Sequence, residues 1–220
     1  MQHIFDRSAL AILALFAASL LGHTPARGDG ISTLHGTGQG LPTGVVDPNF
    51  TIASAPSGAV LKPGGATDTI PPVTSPAYVS PPAGLRWIGP TSDNGVQQPV
   101  GNYDFRTTFD LTGLDPATAQ IAGSAAADNK VADIKLNGVS LGISGGSLGS
   151  MMNFSITKGF SSGINTLDFI VRNDETGGPA ALMVSEIGTA SAVPEPSALA
   201  VFTLATVGLA VVARRKPRSN

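Results

Sequence analysis

The sequence predicts an all-β body, an antiparallel β-sandwich, set between an N-terminal signal helix and a C-terminal transmembrane helix. Three observations predict it. First, Tyr103, Phe105, Thr107, Phe109 and Leu111 alternate with Asn102, Asp104, Arg106, Thr108 and Asp110, the period of a strand with one buried and one wet face. Second, turn residues, among them 27 glycines and 17 prolines, recur between short apolar stretches, giving roughly eight to ten strands. Third, helical periodicity is almost absent from the body, whereas both ends carry uncharged apolar runs.

Residues 1–28 read as a secretory signal. Arg7 closes a short polar region, residues 8–21 form an apolar stretch of the right length, and Thr24-Pro25-Ala26 or Ala26-Arg27-Gly28 supplies small residues for cleavage. Residues 29–44 are rich in Gly, Thr and Ser with no usable period, and are expected to be a flexible leader. The sandwich domain is expected over residues 45–190. A first strand lies at 45–52. Between 55 and 82 the prolines Pro56, Pro63, Pro71, Pro72, Pro76, Pro81 and Pro82 deny ladder donors, so loop is expected, with strands best placed at Tyr78-Val79 and at 85–88.

The strand at 101–111 is followed by an alanine-rich one at 117–126, where Gly123 and Ser124 argue against helix. Residues 131–136 and 139–143 flank Asn137-Gly138, a pair suited to the positive backbone angles of a type I′ hairpin turn. Ile134 and Leu136 should then face inward with Val139 or Leu141, and Asp133 and Lys135 outward. Further strands are expected at 152–158, at 165–173, where Leu167, Phe169 and Val171 alternate, and at 181–188.

The tail, residues 191–220, has three consecutive parts: Pro194, Glu195 and Pro196; an uncharged run over 198–213; and the basic group Arg214, Arg215 and Lys216. As a helix the run would be roughly 24 Å long at about 1.5 Å per residue, slightly short of a hydrocarbon core of about 30 Å. The cations would stay on the cytoplasmic side. This tail resembles the PEP-CTERM sorting signal of bacterial surface proteins. The resemblance implies a transient anchor, processing near the triplet by an exosortase-type membrane enzyme, and release of the body to the cell surface or its matrix.

Charge and composition exclude several functions. From residue 29 to 197 there are seven Lys or Arg against fourteen Asp or Glu, a net charge of −7, so no nucleic-acid footprint exists. With no cysteine, there is neither a disulfide framework nor a thiolate site. The histidines are His3, His23 and His35, two in the signal segment and one in the leader, which leaves acid/base chemistry without its usual residue. Glu175 and Glu186 are the body's only glutamates before the tail, and nothing arranges a carboxylate pair of the kind glycosidases use. The body is read as no enzyme.

Within the sandwich class, residues 47–52, 87–90, 103–111, 127–138 and 165–173 resemble galactose-binding-like jelly rolls, a group that includes many carbohydrate-binding modules. That resemblance implies a jelly-roll topology, carbohydrate binding and a structural Ca²⁺. For a sugar platform the candidates are Trp87 and Tyr78 with Asp93 and Asn94 nearby, because an aromatic face stacks on a pyranose; a lone Trp in an apolar strand is more commonly core. For Ca²⁺ the hard oxygen donors are Asp128, Asn129 and Asp133, although Asp-Asn pairs more commonly bond their own backbone in turns. The expected function is an exported, sorted, non-catalytic surface or matrix protein that binds exopolysaccharide. The alternative is a purely structural surface protein. An exposed Trp87 favours the first and a buried Trp87 the second.

Overall fold

A computed structural model describes residues 28–69, 77–93, 96–174 and 178–193. The signal segment up to residue 27 and the tail from Pro194 onward, with its triplet, apolar run and basic end, lie outside the described residues, so both expected helices do as well. Among the described residues no helix is long and apolar enough to cross a membrane.

The strands are β1 (Asp29–Gly30), β2 (Val46–Ser54), β3 (Ala66–Thr69), β4 (Ile88–Gly89), β5 (Gly101–Asp110), β6 (Gln120–Asp128), β7 (Lys130–Leu136), β8 (Val139–Ser140), β9 (Met152–Ile156), β10 (Ile164–Asn173) and β11 (Ala181–Ala190). They form one antiparallel sheet in the order β8-β7-β10-β5-β2-β3-β4-β11-β6-β9, with β1 beside β11. The sheet curls so that its first five and last five strands face each other across one core.

Strand β10 organises the first half. It pairs with β5 on one side and β7 on the other, setting Phe169 opposite both Phe105 and Ile134. The alternation in β5 lands as expected: Tyr103, Phe105, Thr107, Phe109 and Leu111 are all buried. Across the core, the Phe154 ring of β9 meets Phe169 edge-on at 5.8 Å, which locks the halves together through the quadrupole geometry aromatic pairs prefer. The chain changes halves at Asn129, where β6 ends and β7 begins. Its amide donates to the Arg172 carbonyl (2.9 Å).

At the β7–β8 hairpin, Asn137 and Gly138 take φ of 52° and 78°, the positive pair that a type I′ turn requires. Ile134 and Leu136 are buried, Leu141 packs on the core, and Val139 is exposed. The turn is pinned from behind by Asn165, which is wholly buried. Its Oδ1 accepts from Asn137 Nδ2 and from the Ser161 amide, both at 2.8 Å. Its Nδ2 donates to the Ser161 and Gly163 carbonyls at 2.8 and 2.9 Å.

Two expectations need correction. The stretch 29–44 is not a loose leader: its start is β1, and beyond it the Ile31 amide donates to Gly188 O (2.9 Å) and the Thr37 amide to Val184 O (3.0 Å). Ile31 and Leu34 bury their side chains over Gly188, whose missing side chain leaves the room. In the proline-rich region, Tyr78 and Val79 lie outside any strand, and the strand expected at 85–88 is limited to Ile88–Gly89. Strand β3 arises instead at Ala66–Thr69, a stretch without apolar alternation that is held by β2 and β4 on its two sides.

Both ends of the described body lie at one pole. Asp29 pairs with Ala190, Leu114 bridges Ala192, and the Val193 amide donates to Gly113 O (2.9 Å).

Candidate functional site

The expected aromatic platform sits on the outer face of β4, β11 and β6. Ala126, Ala181 and Met183 point to that face, and two alanines leave space for a large ring. Trp87 fills it and is only 3% exposed. Its indole Nε1 donates to Val79 O (3.1 Å), and Tyr78 packs edge-on against it with ring centroids 5.2 Å apart. The strap carrying Tyr78 and Val79 is tied down by the Val79 amide, which donates to Leu148 O (2.7 Å). Trp87 therefore presents no open face to a sugar ring.

The Tyr78 hydroxyl donates to Asp128 Oδ2. Burial first, then the hydrogen bond to Asp128 and its charge, hold this phenol well above the usual tyrosine range. Beside the strap runs an open groove of about 420 Å³, lined by Gly40, Leu41, residues 81–86 and the edge of Trp87. Its one charged group, Arg86, donates from Nε to Leu41 O and so staples the two walls. Asp93 lies elsewhere, beside a hollow of about 10 Å³ with Pro90, Thr91, Val96 and Gln98; that space is too small for a sugar. Asn94 falls outside the described residues.

The three candidate Ca²⁺ donors do not converge. Asp128 is 4% exposed and engaged by Tyr78 on the outer face of the second half. Asn129 Oδ1 accepts from the Asp174 amide (2.7 Å). Asp133 is opposite Ile170 on the outer face of the first half. Among the described residues no three His, Cys, Asp or Glu side chains come together as a metal cluster. This donor set does not fit a Ca²⁺ ion, which takes about six to eight oxygens around one point.

The sequence reading missed a polar patch on the outer face of β7, β10 and β5. In register, Lys135, Asp168 and Arg106 form one row, and Asp133, Ile170 and Asp104 the next. Arg106 grips Asp168 with two hydrogen bonds, 2.6 Å from Nε and 3.0 Å from Nη2, although Asp168 is 1% exposed on a nominally wet face. Asp104 Oδ1 and Asp133 Oδ1 are closed off without a hydrogen-bond partner. Burial first, then the Asp168 charge, raises the Asp104 carboxyl, with Arg106 and Lys135 opposing. Alternation alone marked these residues as outward; which of them become neighbours is set by strand register, which the sequence does not print.

No protein-family profile matches the chain, and no curated protein matches it. Among solved structures it is similar to a GH26-CBM35 β-(1,4)-mannanase from Podospora anserina, at 12% identity and a TM-score of 0.29. The match covers 69% of this chain and spans 29% of the mannanase chain. A likeness of that size carries no argument about function.

Proposed function

We propose that this chain is an exported surface or extracellular-matrix protein whose body is a non-catalytic β-sandwich of jelly-roll type with a structural role. A PEP-CTERM-type tail delivers it: Pro194, Glu195 and Pro196 mark the processing region, the run over 198–213 spans the membrane, and Arg214, Arg215 and Lys216 hold the cytoplasmic side. An exosortase-type enzyme is the processing partner. The observation that carries the structural role is the burial of Trp87 beneath the Tyr78–Val79 strap, because it removes the expected indole platform on which a glycan would stack.

A second reading, polysaccharide binding, is supported by the polar patch around Asp104, Arg106, Asp133, Lys135 and Asp168, whose partly exposed charged side chains, Arg106 and Lys135 among them, offer hydrogen-bonding groups to sugar hydroxyls. Sorting is tested by expressing the chain in a host with an exosortase and replacing Pro194, Glu195 and Pro196 with alanine. Native protein should reach the surface without its tail, and the variant should stay membrane-bound at full length; identical processing of both would overturn the sorting reading. The two roles are separated on a glycan array. Saturable binding lost in Asp104→Ala or Asp133→Ala would favour the second reading over the first.

A further inference from the structure

The pole that holds both ends of the described body also carries Val139, Ile164 and Val193, three of the most exposed apolar side chains. Gly163, next to Ile164, accepts from the Leu111 amide (2.9 Å), and the Asn137 amide near Val139 donates to Thr166 O (2.9 Å). Val193 is joined to Gly113 in the same loop cluster. Val139 is 67% exposed, Ile164 66% and Val193 53%, and Ile187, just above on the outer face of β11, is 74% exposed. These are the four most exposed large apolar residues among those described. The opposite pole presents Val60, Leu61 and Val100 at lower exposure.

We infer that this pole docks on the surface of a lipid bilayer. The inference rests on the proposed reading of the tail as a membrane span. Residues 194–197 alone separate Val193 from the apolar run, so even fully extended the link reaches ~18 Å at about 3.3–3.6 Å per residue. The headgroup layer on each side of the core is ~5–8 Å thick. A link so short keeps the pole within ~10–13 Å of that layer, and at the high effective concentrations of a short tether, about millimolar, even a weak apolar contact is populated. Asp29, Asp110 and Asp115 surround the pole, with Lys158 as the cation beside β9. Apolar contact, not attraction to anionic headgroups, therefore supplies the docking energy. Tilted this way, the sheet carries its other pole, with Val60 and Val100, ~30 Å away along the ten residues of β10.

The absence of cysteine permits single-site labelling of the full chain. Ile164→Cys, Val139→Cys and Val60→Cys, each carrying an environment-sensitive fluorophore, would be reconstituted in phosphatidylcholine vesicles with or without headgroup-proximal doxyl lipid. Docking predicts loss of fluorescence at 139 and 164 and none at 60, with the quenching weakened when phosphatidylglycerol is added. Protein that floats with the vesicles but shows no quenching at 139 and 164, or equal quenching at all three sites, overturns the docking and leaves the anchor intact. Protein that does not float overturns the anchor reading and the docking with it.

Discussion

Glu186 stands directly opposite Gly123 on the paired strands β11 and β6, and both its carboxylate oxygens are shut off from water without a hydrogen-bond partner. Burial pushes its carboxyl from the ordinary 4.5 up to about 8. The folded state therefore holds a proton that the unfolded chain has already released. Stability from this group is fully present below about pH 4.5 and is lost as pH rises to about 8. Melting temperature should fall across that window and the fall should flatten in Glu186→Gln. At pH 8 the variant should be the more stable by about 1 kcal/mol or more, ~2–4 °C in a body of this size. Parallel melting curves of the two proteins across the window would show that Glu186 is not the cause.

Removing Arg106 leaves Asp168 charged and enclosed, at 1% exposure against 38% for Arg106. Breaking a fully buried pair costs about 3–5 kcal/mol; with Arg106 partly in water, Arg106→Ala should cost about 2. Arg106→Ala in an Asp168→Asn background should cost much less, since the stranded charge is gone. Urea titration of the four proteins of the cycle would measure both, and equal costs in the two backgrounds would mean that the pair contributes nothing.

Trp87 is the chain's only tryptophan, so its fluorescence reports one place. Emission should be blue-shifted and hardly quenched by iodide, and soluble glycans should leave it unchanged. Trp87→Ala should cost about 3–5 kcal/mol by leaving a large void. Trp87→Phe should cost less, since the ring space stays filled and mainly the hydrogen bond to Val79 O is lost. An iodide-sensitive, red emission would place the ring outside the strap.

Asn165 makes four hydrogen bonds at full burial. Asn165→Ala orphans the Ser161 amide and carbonyl, at about 1–3 kcal/mol for each group that water does not reach, and leaves the Gly163 carbonyl with the Leu111 amide as its donor. Hydrogen exchange should rise first at residues 137 and 161, where the hairpin loses its backing, before the centre of β10 loosens. Asn165→Asp keeps the acceptor but loses both donations, and should fall between.

What the sequence determined by itself was local. Alternation located β5, β10 and most of β7, and the outward placement of Asp133 and Lys135 followed from the same period. Asn137-Gly138 announced its turn because so few residue pairs accept two positive φ values. The tertiary structure decided whatever depended on a distant partner. Residues 31–37 look like a linker until β11 offers backbone groups and the gap above Gly188. Asp128 and Asp133, five apart in sequence, end on opposite outer faces because the chain changes halves at Asn129 between them. Trp87 could be core or platform on sequence alone; a strap from residues 78–79, fastened to Leu148, closed it. Side-chain period and turn chemistry are set by neighbours along the chain, whereas burial, register and the company a carboxylate keeps are set by pairings between residues many positions apart.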